Sequence, residues 1–153
     1  MFRGAQATKV DDKGRIKLPA DTKRVVEEQY PDLKMYVTST DGEIVKIYPM
    51  SEWLTVESSL QQSGPDAKDS GAAARKKALF LTSVYGSEET LDGQGRILVP
   101  AVLRDSAGMR SSDVRLMWLG NRFEALSDKV FAKQLERNAL NDAEQNEIAH
   151  LGV

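Results

Sequence analysis

The sequence predicts an α+β fold built from two tandem copies of one small module. Three observations carry that expectation. The phrase "VDDKGRIKLPA" from Val10 returns as "LDGQGRILVPA" from Leu91, and a repeated phrase marks repeated structure. Each copy ends on a Pro-Ala step and is followed by a short helix-forming stretch and two apolar β-rich runs around a turn. With 153 residues, the chain makes one domain or two small ones and buries roughly 68–70% of its unfolded surface.

Each element follows from local chemistry. "QATKV" suits a short strand, and "DDKG" is a turn in which Gly14 takes positive φ without penalty. In "RIKLP" the alternation turns Ile16 and Leu18 inward and Arg15 and Lys17 outward. Pro19 stops that strand and opens a helix reaching about Gln29. "KMYVTS" and "EIVKIYP" then read as strands around Thr40–Gly42. A shift of 81 positions lays Asp92, Gly95, Arg96, Ile97, Pro100 and Ala101 on identical residues of the first copy. There Pro100 opens the helix and Gly108 is its expected C-cap. "DVRLMWLG" and "RFEALS" form the matching hairpin around Gly120 and Asn121. The organisation expected is a first module over 5–51, a linker and helix over 52–82, a second module over 83–126 and a helical tail over 127–153. The Ser/Gly/Pro/Asp run from Gln61 to Gly71 has the composition of a mobile linker, and "AAARKKALFL" from Ala72 reads as helix.

Composition narrows the function. The absence of cysteine removes disulfides, thiolate catalysis and cysteine-based metal sites. The one histidine, His150, sits in an acidic tail, a poor place for a base held by a rigid site. No apolar stretch approaches the ~20 residues of a spanning helix, and the N-terminus lacks the apolar core of a secretory signal. A cytoplasmic protein is the default expectation. Net charge is −2, but it is unevenly spread: the first 24 residues hold seven basic side chains against three acidic, and from Glu136 onward four acidic oppose one basic. A basic face on a neutral body is consistent with that asymmetry.

The repeated phrase holds the candidate chemistry. In D-x-x-G-R the turn can return the Asp carboxylate to the Arg four residues on, fixing the guanidinium for a ligand with matching acceptors. Phosphate oxygens fit, as do O6 and N7 of guanine in the major groove. The alternative is that Asp11–Arg15 and Asp92–Arg96 merely staple two hairpins. Lys13 and Lys17 strengthen the first copy as a reader, whereas Gln94 and Leu98 stand in their places in the second. Trp53 and Trp118 lie in or beside apolar runs and read as core or interface rather than base-stacking platforms. Asp11 and Asp12 are explained by a turn, with no histidine or second acidic cluster to make a metal site. "ARKK" at 74–77 reads as a solvated helix face. "GQGR" at 93–96 lacks the third glycine of a dinucleotide loop. A hydrolase using Asp and Lys would lack a nucleophile–base pair.

"MFRG", "DDKGRIKLPA", "IYPMSEW", "LDGQGRILVPAVLRDSAGM" and "LGNRFE", in that order, resemble the MraZ family of bacterial transcriptional regulators. The likeness runs from Met1 to about Phe131, and the paired motifs, each followed by I-x-[LV]-P-A, are specific. The resemblance implies two tandem SpoVT–AbrB-like swapped-hairpin modules forming a pseudo-dimeric, double-split β-barrel with short flanking helices. It implies a ring-shaped homo-oligomer, nucleoid-associated, on double-stranded promoter DNA. It further implies repression of the protein's own division and cell-wall operon through short G-rich repeats. Carried over by motif, the DNA-binding residues are Arg15 and Arg96, oriented by Asp11 and Asp92; Arg3 and Lys13 join them on local charge. No catalytic residue, metal, cofactor or small-molecule substrate is implied. Where the family tends to read Glu-Ile/Leu-Trp-Asp, this chain has Glu124-Ala125-Leu126-Ser127-Asp128. The alternative to a DNA reader is an oligomeric ring scaffold for a protein partner. In a ring, weak salt-sensitive contacts would gain 10²–10⁴-fold or so by effective concentration.

Overall fold

A computed structural model describes residues 3–62, 71–110 and 113–153. The first half contributes β1 (Gln6–Lys9), β2 (Arg15–Lys17), α1 (Ala20–Gln29), β3 (Lys34–Thr38), β4 (Val45–Pro49) and α2 (Met50–Gln61). The second contributes α3 (Ala72–Val84), β5 (Ser87–Thr90), β6 (Arg96–Leu98), α4 (Ala101–Ala107), β7 (Asp113–Trp118) and β8 (Phe123–Ser127). Two further helices, α5 (Asp128–Arg137) and α6 (Asp142–Ile148), lead to a closing 3₁₀ turn. Most of the expected linker run, 63–70, lies outside the described residues.

Local chemistry sets the boundaries. Pro19, Pro49 and Pro100 occupy the N-cap positions of α1, α2 and α4 in extended conformation, where a missing N–H costs nothing. Gly108 ends α4 in the left-handed conformation, with the Met109 N–H donating to the Arg104 carbonyl at 2.9 Å, as its C-cap position implied. Ser127 caps α5, and Asn141 with Glu144 forms a reciprocal capping box on α6.

The strands form one six-stranded sheet in the order β1-β7-β8-β4-β3-β5 and a separate ribbon of β2 with β6, every pairing antiparallel. The two halves interleave. β1 pairs with β7 of the second half (Gln6 opposite Leu116), and β5 pairs with β3 of the first (Lys34 opposite Thr90). The hairpins β3–β4 and β7–β8 meet at the centre, Val45 opposite Ala125.

The expected closed barrel is corrected by this arrangement. β1 and β5 stand at opposite ends of an open sheet, and each alternates between half-buried and exposed residues. The D-x-x-G turns lead the chain out of the sheet, so β1 and β2 share only the bridge Val10–Ile16. The three-residue strands β2 and β6 spend their remaining hydrogen bonds on each other instead of closing the cylinder.

One core lies beneath sheet and ribbon, and it repeats with the sequence. Val10, Ile16 and Leu18 are 3, 0 and 3% exposed, and their counterparts Leu91, Ile97 and Val99 are 2, 1 and 0% exposed. Burying a side chain of this size is worth roughly 1.5–3 kcal/mol. Trp53 is part of the buried structure: its ring stacks on Tyr36 at 4.4 Å and its indole N–H donates to Glu57 at 3.1 Å. Trp118 packs against the core with its ring edge-on to Phe123 at 4.9 Å. Both tryptophans are packing residues. Lys76 and Lys77, in the basic run on α3, are exposed on a solvated helix face.

Candidate nucleic-acid interface

The two D-x-x-G-R turns have nearly identical geometry. In the first, Asp11 Oδ1 accepts from the backbone N–H groups of Lys13 (3.0 Å) and Arg15 (2.9 Å), and Oδ2 accepts from Arg15 Nε at 2.9 Å. In the second, Asp92 Oδ1 accepts from Gln94 and Arg96, both at 2.9 Å, and Oδ2 from Arg96 Nε at 2.8 Å. One carboxylate thus closes the turn and holds the guanidinium of the residue after it. The Arg15 backbone N–H is the largest influence on Asp11, which is held below its ordinary carboxyl value of 3.8. Burial is the largest influence on Asp92 and pushes upward, but the hydrogen bonds from Arg96 and Gln94 outweigh it and the net direction is down. Both stay ionised wherever nucleic acid is stable.

The ribbon places both turns on one surface. Its register sets Arg15 opposite Leu98, Ile16 opposite Ile97 and Lys17 opposite Arg96. Because side chains alternate across a strand, Arg15, Lys17, Arg96 and Leu98 share one face, while Ile16 and Ile97 enter the core. Beyond the strands the ladder runs into the turns: the Leu18 N–H donates to the Gly95 carbonyl at 2.7 Å, and that of Val99 to Gly14 at 2.9 Å. Each turn is therefore tied to the opposite half of the chain.

Each is also packed against a cation from that half. Gly14, at φ +82°, lies so close to the Arg104 guanidinium of α4 that any Cβ would collide with it. Gly95, at φ +77°, faces Lys23 of α1, whose Cδ would lie 2.8 Å from an added Cβ. Lys23 and Arg104 are related by the same shift of 81 positions that relates the turns. That shift was the available signal for them, but helical residues show no ligand pattern of their own.

The structure brings Arg15, Asp11, Arg96 and Asp92 together, with Lys13 exposed in the first turn. Arg3 lies on the exposed segment ahead of β1, outside the ribbon. Lys17 and Leu98 complete the outward face. The arginine Nη groups make no hydrogen bond within the described residues, and the Arg15 and Arg96 side chains are about a quarter exposed. A two-stranded ribbon fits a major groove about 12 Å wide. Among the described residues no group of three or more acidic or histidine side chains could hold a metal ion, and no helix is long and apolar enough to cross a membrane.

The family model described as "MraZ protein, putative antitoxin-like" matches residues 1–76 and 86–151. This chain belongs to the MraZ family. Among its MraZ relatives, a protein of Acidobacterium capsulatum named transcriptional regulator MraZ is 38% identical over all of both chains. A namesake of Koribacter versatilis is 33% identical over the same extent, and one of Solidesulfovibrio magneticus is 31% identical over all of this chain and 97% of its own. The solution structure of PHS018 from Pyrococcus horikoshii covers 83% of this chain and 90% of its own at 21% identity, with a TM-score of 0.31.

Proposed function

We propose that this MraZ-family chain is a sequence-specific DNA-binding transcriptional regulator, not an enzyme, and that it represses its own operon through short G-rich promoter repeats. The observation that carries the reading is the pair of arginines on one ribbon face, each fixed through Nε by its own aspartate. Fixing Nε leaves the paired Nη donors to approach guanine O6 and N7 as a fork. Lys13 and Lys17 add phosphate attraction at the first turn, and Arg3 extends it from the N-terminal segment. The names of the MraZ relatives agree with regulation of transcription.

The proposal includes two tandem modules, 5–51 and 83–126, of swapped-hairpin type, with 52–82 as linker and helix and 127–153 as tail. The exchange of β1 and β5 between the hairpins supports that assignment. It also includes assembly into a ring. Leu54, Phe80 and Val84 are 56, 68 and 51% exposed on α2 and α3, apolar area of the kind that self-association covers. A nucleoid location in the cytoplasm follows from the DNA-binding role.

Fluorescence anisotropy on DNA just upstream of the gene tests the reading. Selective, salt-sensitive binding by the wild type, lost in Arg15→Ala and Arg96→Ala, is the expected result. An assembled wild type that binds a scrambled fragment equally well refutes it and leaves the ring scaffold, with the turns as staples.

A further inference from the structure

We infer that Leu98 is a specificity residue whose side chain reads the C5-methyl of a thymine beside the guanine taken by Arg15. The inference rests on the DNA-reading role proposed above. The two otherwise matching turns are followed by unequal strands. The shift of 81 positions that superposes Arg15 on Arg96 places Leu98 where the first strand has Lys17. The ribbon register then leaves Arg15 facing a leucine and Arg96 facing a lysine. Leu98 is 38% exposed at one end of a face otherwise made of Arg15, Lys17 and Arg96, while the apolar residue before it in the same strand, Ile97, is fully committed to the core.

The major groove offers one apolar feature to such a side chain, the thymine C5-methyl. Directly opposed residues of an antiparallel pair hold their Cβ atoms about 4.5–5.5 Å apart, and successive bases of a strand are spaced about 3.4 Å. A side chain opposite Arg15 therefore reaches a base one or two steps from the guanine that Arg15 takes. The opposite end of the ribbon, with Lys17 facing Arg96, has only charge to offer there. The two ends consequently read different chemistry, and the site they recognise has a direction.

The test uses the full-length protein and the promoter fragment, with each thymine replaced in turn by deoxyuridine. That change removes a methyl group and leaves base pairing intact. Wild type is expected to lose roughly threefold to fivefold in affinity at one thymine beside a guanine, the effect of one buried methyl-sized group. Leu98→Ala is expected to bind the parent fragment more weakly by a similar factor and to be indifferent to deoxyuridine at that position. Leu98→Lys, which reproduces the chemistry of Lys17, is expected to be equally indifferent and to steepen the salt dependence by about one counterion. Circular dichroism and sedimentation establish that both variants fold and assemble as wild type does. A wild type that selects the promoter but ignores deoxyuridine at every thymine overturns the inference. So does a Leu98→Ala variant that still discriminates. A wild type with no selectivity for the promoter overturns the DNA-reading role itself, a separate and earlier result in the same titration.

Discussion

Gly14 and Arg104 come from opposite copies of the repeat, yet the Arg104 guanidinium occupies the space where a Cβ on Gly14 would stand. The first D-x-x-G-R turn is shaped by its own aspartate from below and by the other half's helix from above. Lys23 over Gly95 repeats the arrangement. The two turns are therefore adjusted by each other's halves, which ties the spacing of Arg15 and Arg96 to the packing of α1 and α4.

Gly14→Ala is expected to destabilise the fold by about 1–3 kcal/mol, since it forces a side chain into a left-handed backbone and against Arg104. Combining it with Arg104→Ala should relieve the collision and leave the backbone strain, a positive coupling in a double-mutant cycle by chemical denaturation. Gly108→Ala, at φ +69° with nothing within 4 Å of the added Cβ, should show strain alone. Equal behaviour of Gly14→Ala with and without Arg104 would remove the contact from the account.

The paired aspartates give a pH dependence of definite sign. Asp11 and Asp92 are held below the ordinary value of 3.8 in the folded chain. A depressed folded value means the unfolded chain binds protons first as pH falls. Their contribution is thus fully present above about pH 4 and lost as pH drops through the folded values. Denaturation midpoints measured from pH 6 to pH 2.5 should fall less steeply in the Asp11→Asn/Asp92→Asn protein. At pH 7 that double variant should lose at most about 1 kcal/mol per site, since both ion pairs are partly exposed.

Arg15→Lys separates charge from shape. Lysine keeps the positive charge but lacks the planar fork, so discrimination against a substituted guanine should fall tenfold to a hundredfold, about 1–3 kcal/mol. The salt slope should hardly change. Lys13→Gln should do the opposite, weakening all sequences alike and lowering the slope by about one. Titrations at three salt concentrations distinguish the two. A matching loss of selectivity in both variants would contradict the division into base reader and phosphate contact.

Trp53→Ala should cost about 3–5 kcal/mol, because the ring is 3% exposed and stacked on Tyr36. Trp53→Phe should cost far less and leave DNA affinity intact. Lost affinity in a folded, assembled Trp53→Phe protein would return the tryptophan to the binding surface.

Much of this was readable before the structure. Alternation in "RIKLP" placed Ile16 inward and Arg15 outward, and the 81-residue shift carried the Asp11–Arg15 pairing onto Asp92–Arg96, where the distances agree within 0.1 Å. These are local properties, set by turn chemistry and period. Partners were not readable. Adjacent strands around "DDKG" suggest a hairpin, but β1 joins β7 and β2 joins β6, because strand pattern specifies conformation and face rather than the neighbour. The closed barrel failed for the same reason. The contact of Arg104 was not legible because a glycine's sequence says nothing about what packs on it; Leu98 showed as the counterpart of Lys17, but its position opposite Arg15 depends on a register visible only in the ribbon.

The exchange of edge strands sets a timetable for synthesis. Gln6 finds its sheet partner in Leu116, and Arg15 its ribbon partner in Leu98. β1 waits for more than a hundred later residues before its sheet partner is made. Contacts of that range are slow to form, and an unpaired edge is open to strands of neighbouring nascent chains in the meantime. Lys9 puts charge on β1 while it waits, and Glu88 and Glu89 put charge on β5 at the other edge of the finished sheet, a natural guard against unwanted pairing.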